Sequence, residues 1–308
     1  MCIKNHDERV MMDVENGNSR KALFSLVTTM VIFGTIGIFR RNIQLPSAMI
    51  SLLRAVIGVL FLLIVLRVSG RKLDRAAIRA NAPLLLLSSA LMGINWILLF
   101  EAYRYTSVAT ATLCYYMEPI ILVLLSPALL GEKLTKKKML CVLTALAGMV
   151  LVSGILEAGF SGGTEIKGVL FGLGAALLYA SVILINKRLR GIGAYDKTIM
   201  QLGLAAVLLL PYTLLTGDFS LRMDMASAVM MGFVGVVHTG FAYALYFGSI
   251  NGLRAQTVAL LSYVDPVVAI LLSALLLGER MTIAGAVGAV LVLGATIVSE
   301  FPERTKEE

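Results

Sequence analysis

Charge is what this chain has least of. Asp, Glu, Lys and Arg make up 15% of its 308 residues, against about a quarter in an ordinary soluble domain, while 58% are hydrophobic and the mean hydropathy is +0.86. So few charges cannot cover a water-facing surface, and the excess of apolar side chains points to lipid as the solvent. Cysteine is scarce too: Cys2, Cys114 and Cys141 show no CxxC spacing, which excludes a disulfide framework and a thiolate metal site. There is no Walker A sequence to couple ATP directly, and no HExxH, GxSxG or His and Asp cluster to support a lipid-modifying enzyme. No enzymatic activity and no cofactor is therefore expected. The net charge of +8 comes without the basic stripe interleaved with aromatics that nucleic acid requires, so nucleic acid is not an expected partner.

What the chain does have is apolar blocks of the length a helix needs to cross about 30 Å of hydrocarbon. Ten are expected: Ala22–Phe39, Ser47–Val68, Ala82–Ala102, Val108–Leu130, Met139–Leu156, Val169–Ile185, Thr198–Thr216, Met225–Phe247, Ala255–Leu277 and Thr282–Ser299. None of these blocks contains a lysine, which excludes a retinal-type pigment. The first 20 residues are polar and mixed in charge, without the apolar core of a secretory signal, and read as a disordered tail. The longest connection, 157–167, is rich in glycine and polar residues and reads as the linker between two halves, 21–156 and 168–301; residues 302–308 form a second tail. Of the 27 Lys and Arg, twenty fall on the face where the chain starts and six on the other, so both termini are expected in the cytoplasm.

The halves are copies. An offset of 147 residues carries Pro119 onto Pro266, and over Tyr116–Thr135 against Tyr263–Thr282 ten of twenty positions are identical, including a shared GE[KR] ending. The same offset pairs Glu118 with Asp265, Trp96 with Tyr243, Arg40 with Lys187 and Arg41 with Arg188. Five crossings per half is an odd number, so the second half must enter the membrane from the opposite side. The expected fold is an all-α integral membrane protein of ten transmembrane helices in two inverted five-helix repeats, an arrangement suited to alternating access.

Candidate site residues follow from polarity at depth. Glu118 and Asp265 sit about halfway along their blocks, where an ionised carboxylate is costly unless it faces water or a partner, and each precedes a proline that disfavours helical geometry before it. They read as a cation-binding or proton-carrying pair walled by Tyr116 and Tyr263, or as carboxyls hydrogen-bonded within the bundle. Arg54 and Glu101 lie at comparable depth, so they can pair, or Arg54 can hold a substrate carboxylate. The repeat partner of Arg54 is the neutral Gln201, so the halves differ here. Asn95, Trp96, His238 and Tyr243 form a polar and aromatic set on corresponding blocks; His238 could relay protons or simply bond a helix carbonyl. Small residues around Gly168, Gly172 and Gly148 read as helix-packing surfaces, and Glu132 and Glu279 as helix-end or gate residues at opposite faces.

The runs YYMEP with LLSPALLGEKLT, their echo YVDP with LLSALLLGERMT, and NWILLFEAYRYTSVATATLCYY resemble the EamA branch of the drug/metabolite transporter superfamily, over essentially Ala22–Phe301. The resemblance implies a secondary carrier with a central cavity between its halves, in a family whose members export amino acids and other metabolites. The expected function is export of a small organic solute such as an amino acid across the bacterial cytoplasmic membrane, with proton coupling as an option. Efflux of organic cations or drugs is the alternative.

Overall fold

In lipid every backbone N–H and C=O must find an internal partner, and a chain this apolar satisfies that by folding into helices. The computed structural model describes residues 19–106, 108–152, 165–216, 222–276 and 282–301, and among these residues there is no strand. Both expected tails, but for Ser19 and Arg20, and most of the expected linker lie outside the described residues, as does Glu279. The helices are α1 (Ser19–Phe39, interrupted by a turn at Thr35), α2 (Ser47–Val68), α3 (Ala82–Tyr105), α4 (Val108–Tyr115), α5 (Glu118–Leu130) and α6 (Lys136–Val152) in the first half. In the second they are α7 (Glu165–Arg188), α8 (Ala194–Leu215), α9 (Met225–Gly252), α10 (Ala255–Ser262), α11 (Val264–Leu276) and α12 (Ile283–Glu300).

Among the described residues seven helices are long and apolar enough to cross a membrane, counting α4 and α5 together as Ala111–Leu130. The fourth and ninth expected blocks are not continuous helices: each divides at the residues just before its proline, giving α4 with α5 and α10 with α11. The seventh starts earlier than hydropathy indicates, at Ala194, which draws Lys197 into α8 as a buried residue, only 1% exposed. The expectation that no lysine lies within a span fails for that reason: polar residues lowered the hydropathy where the helix in fact continues. A six-residue helix, Arg75–Ala80, capped by the Asp74 side chain, fills the connection before α3. At the far end of α5, Gly131 takes the left-handed conformation (φ 69°) and its amide bonds back to the Pro127 carbonyl, which stops the helix.

Helices six labels apart are repeat equivalents, and their packing repeats accordingly. α8 lies against α3 as α9 lies against α2, while α2 meets α8 and α6 meets α12. The close crossings show this at atomic scale. A Cβ placed on Gly93 would come within 3.3 Å of the Ala205 Cα, and one placed on Gly240 within 3.3 Å of the Gly58 Cα. The offset of 147 carries Gly93 to Gly240 and Gly58 to Ala205, so these are one helix contact made twice. Gly148 approaches Gly288 and Gly172 approaches Cys114 in the same manner, as expected for small-residue surfaces. Large apolar side chains such as Leu60, Ile64 and Leu170 remain more than half exposed on the outside, a liability in water and a match to lipid.

Between Val234 and Phe241, α9 widens into a π-helix. Thr239 donates its hydroxyl to the carbonyl five residues back, at Val234, and the flanking Gly235 and Gly240 let α2 approach at Ile57 and Gly58.

Substituting Gly240→Ala forces a Cβ to within 2.6 Å of the Phe61 ring, and should cost about 1–3 kcal/mol, lowering the thermal unfolding midpoint in detergent. Gly232→Ala, which meets nothing within 4 Å on the same helix, should leave the midpoint unchanged or raise it.

Candidate functional site

The two broken helices meet at their breaks. Tyr263 donates its hydroxyl to the Tyr116 carbonyl at 3.0 Å, and the two rings lie 6.4 Å apart. These residues are repeat equivalents, 147 apart. A residue that touches its own two-fold image lies on or beside the axis relating the halves, and Trp96 and Tyr243, whose rings meet edge to face at 6.2 Å, satisfy the same condition. The two contacts together trace the pseudo-axis through the core. Breaking the helices here also sets Glu118 at the first residue of α5 and Asp265 at the second of α11, where the positive ends of the helix dipoles favour a carboxylate.

A cavity of about 200 Å³ opens beside this junction. Arg54, Trp96, Tyr116, Glu118, Tyr243 and Asp265 line it, so six of the residues expected from sequence converge. The guanidinium of Arg54 sits 5.1 Å from the Trp96 ring centre and 5.9 Å from that of Tyr243, and its Nε donates to the Thr239 hydroxyl at 3.0 Å. Cation–π contact and one hydrogen bond stabilise a charge that the bilayer interior would otherwise penalise. Glu118 is 4% exposed, and its Oε1 is buried with no hydrogen-bond partner. Among the described residues no ion pair reaches either carboxylate. The result is a cation and two carboxyl groups lining one small space together with several aromatic rings.

The remaining expected residues lie elsewhere. Glu101 does not pair with Arg54: it bonds the Arg104 guanidinium at 3.2 Å and accepts from the Tyr212 hydroxyl at 2.5 Å. Equal depth was the only basis for the expected pair, and depth says nothing about which way a helix face points. Asn95 is fully buried and donates to the Ala175 carbonyl, fixing α3 to α7. His238 lies in the π-helical turn with Nε2 2.7 Å from the Thr35 hydroxyl, and its ring meets the mutually stacked rings of Phe39 and Phe233 edge to face. It bonds a side chain at the turn in α1 instead of a helix carbonyl, and its Nδ1 is buried without a partner. Tyr263 holds the junction and does not line the cavity. Gln201, the counterpart of Arg54, donates to Ser88 within the bundle, so the two halves do differ here.

Sequence reasoning missed Phe33, Tyr115, Tyr179 and Ser262, all of which line the cavity. Tyr115 stacks on Tyr179 at 5.8 Å, and Phe33 meets Tyr243 at 5.3 Å. Tyr115 was visible in the YYMEP run, and Tyr179 as the one aromatic polar group in the middle of a block of Gly, Ala and Leu.

The model of the EamA-like transporter family matches residues 20–154 and again 166–300. An uncharacterized transporter of Bacillus subtilis, YxxF, is 29% identical over 273 residues, 88% of this chain and 86% of that protein. An uncharacterized transporter of Archaeoglobus fulgidus is 28% identical over 279 residues, 89% and 94% of the two chains. Protein PecM of Dickeya dadantii is 26% identical over 231 residues, 72% and 76%. One solved crystal structure aligns with a TM-score of 0.81 at 20% identity, covering 91% of this chain and 96% of that one, a likeness of fold.

Replacing Tyr263 with Phe removes the hydroxyl that holds the Tyr116 carbonyl and leaves that carbonyl buried without its donor. A loss of about 1–3 kcal/mol is expected, read as a lower unfolding midpoint in detergent. Glu101→Gln, outside the cavity, should weaken the Tyr212 contact while leaving solute affinity unchanged in a binding titration.

Proposed function

Since the chain belongs to the EamA-like transporter family, within the drug/metabolite transporter superfamily, we propose that it exports a small organic solute such as an amino acid or related metabolite by alternating access. The observation that carries this reading is the cavity at the junction of the two repeats, with the Arg54 guanidinium and the carboxyl groups of Glu118 and Asp265 facing one space. A guanidinium binds a carboxylate with two parallel hydrogen bonds, and a carboxylate binds an ammonium. Opposite charges lining one space with aromatic rings therefore suit a solute that carries both.

In this reading the chain crosses the bilayer ten times. α4 with α5 and α10 with α11 each make one crossing, and α6 and α12 make two more, with the halves 21–156 and 168–301 inverted and both termini in the cytoplasm. The excess of Lys and Arg on the face where α1 begins supports that orientation, and the bacterial relatives support a cytoplasmic membrane. Trp96, Tyr116 and Tyr243 contact the solute, while Glu118 or Asp265 carries a proton that couples the cycle to a gradient. The second reading, efflux of organic cations, draws on the same carboxyl groups and aromatics; Arg54 beside them opposes a purely cationic solute.

Counterflow in proteoliposomes decides between the two. Exchange of a labelled amino acid supports the first reading, and no exchange of any carboxylate-bearing solute by folded protein overturns it. Arg54→Gln should raise KM for such a solute by roughly 10- to 100-fold, the worth of a lost charge-assisted hydrogen bond, and should leave a cation's KM unchanged or lower it. Glu118→Gln should abolish uphill transport in a pH gradient and spare exchange; uphill transport that survives removes Glu118 from coupling.

A further inference from the structure

The corner where α9 ends and α10 begins, on the face where α1 starts, is clamped by charges from elsewhere in the chain. Arg254, at the head of α10, supplies no side-chain cap, and the amides it would otherwise leave open are taken by the Glu132 carboxylate: Ala255 N–H at 2.7 Å and Gln256 N–H at 3.3 Å. The end of α9 is held in the opposite sense, with the Lys187 ammonium donating to the carbonyls of Ile250 and Leu253. An anion at a helix N-terminus and a cation at a C-terminus are both favoured by the macrodipole. Arg188 adds a third tie, donating to the Leu129 carbonyl at 2.6 Å near the end of α5, and the Gln256 amide reaches the Ser126 hydroxyl and the Lys133 carbonyl. Glu132 belongs to the first half and the corner it holds to the second, while Arg188 of the second half ties back to Leu129 of the first.

At this corner the helices are closely packed. Every residue of α10 from Ala255 to Leu261 is buried, as are Tyr246, Phe247 and Ile250 of α9. The repeat counterpart of α10 is α4, and there Thr112, Leu113 and Cys114 are only half-buried where Ala259, Leu260 and Leu261 are buried. Two copies of one element thus occupy unequal environments, one fully buried and one half-buried. The buried copy is the clamped one. The offset of 147 gives Glu132, Lys187 and Arg188 the sequence counterparts Glu279, Arg40 and Arg41, whose side chains lie outside the described residues.

Resting on the transport reading above, we infer that Glu132, Lys187 and Arg188 form the latch that closes the cavity toward the face where α1 begins, and that each transport cycle must release it. The residues act by position: none lines the cavity, and each holds a helix end. The latch sits at the helix ends, where the freed amides and carbonyls can turn to water.

Side-directed labelling tests this without any solute. In a protein with Cys2, Cys114 and Cys141 replaced, a Ser262→Cys reporter in the cavity wall is treated with a membrane-impermeant maleimide from either face of sealed, oriented vesicles. The parent should label from the far face and stay protected from the face where α1 begins. Adding Glu132→Ala with Lys187→Met should raise labelling from the protected face by roughly ten-fold or more and reduce it from the other, as expected for a shifted two-state balance after loss of charge-assisted bonds. Unchanged rates, equal rises at both faces, or a parent already labelled from the protected face would each overturn the latch. If the double variant does not fold, Glu132→Gln, which keeps side-chain length, and Arg188→Gln, which removes the guanidinium, should move the rates in the same direction. Counterflow is scored separately: a labelling shift without solute exchange leaves the latch standing and removes the transport reading, and exchange without a labelling shift does the reverse.

Discussion

The rest of this structure depends on the requirement that no backbone polar group be left unpaired in hydrocarbon. A continuous helix meets it automatically. This chain breaks two helices in the middle of the bundle and turns a corner between α9 and α10, and side chains supply backbone partners at the junction of the breaks and at that corner. Tyr263 covers the carbonyl of Tyr116 at the junction, Glu132 covers the amides of α10, and Lys187 covers the carbonyls that end α9. The interruptions are what give the fold a site, since they turn helix ends and acidic side chains toward a cavity that an unbroken bundle would not have.

The same requirement applies to side-chain charge. Arg54 tolerates its depth because two aromatic faces and one hydroxyl surround it, and that arrangement exists only in one half. At the equivalent place Gln201 is bonded to Ser88 and turned into the packing. Duplication supplied two matching frames, and divergence at this one position gave the cavity its polarity. His238 shows the opposite case. It is a titratable side chain absorbed into a hinge-like contact between the turn in α1 and the π-helical turn of α9, outside the cavity wall.

Hydropathy and the constant offset of 147 made the helical architecture and the duplication legible from sequence, and the prolines at 119 and 266 marked where helices break. Glu118, Asp265, Trp96 and Tyr243 could be found because polar or aromatic residues deep in an apolar block are costly and because the offset paired them. Partners were not legible. Depth along a helix can be counted in residues, but the direction a side chain takes around the axis depends on packing, and Glu101 consequently went to Arg104 and Tyr212 instead of Arg54. Helix starts were obscured where polar residues are buried, as at Lys197. The π-helical turn has no periodicity of its own, and it depends on how closely Gly58 and Gly240 bring two helices together.

The pairs Tyr116 with Tyr263 and Trp96 with Tyr243 carry one more implication. When two related halves trade conformations, a residue away from the axis exchanges its surroundings for those of its counterpart, whereas a residue touching its own image keeps the same neighbour throughout. On the alternating-access reading proposed above, these four aromatics form a fulcrum, a spine about which the two halves turn. On that reading a substitution there changes the height of the barrier between the two orientations, while a substitution at the rim changes which orientation is preferred.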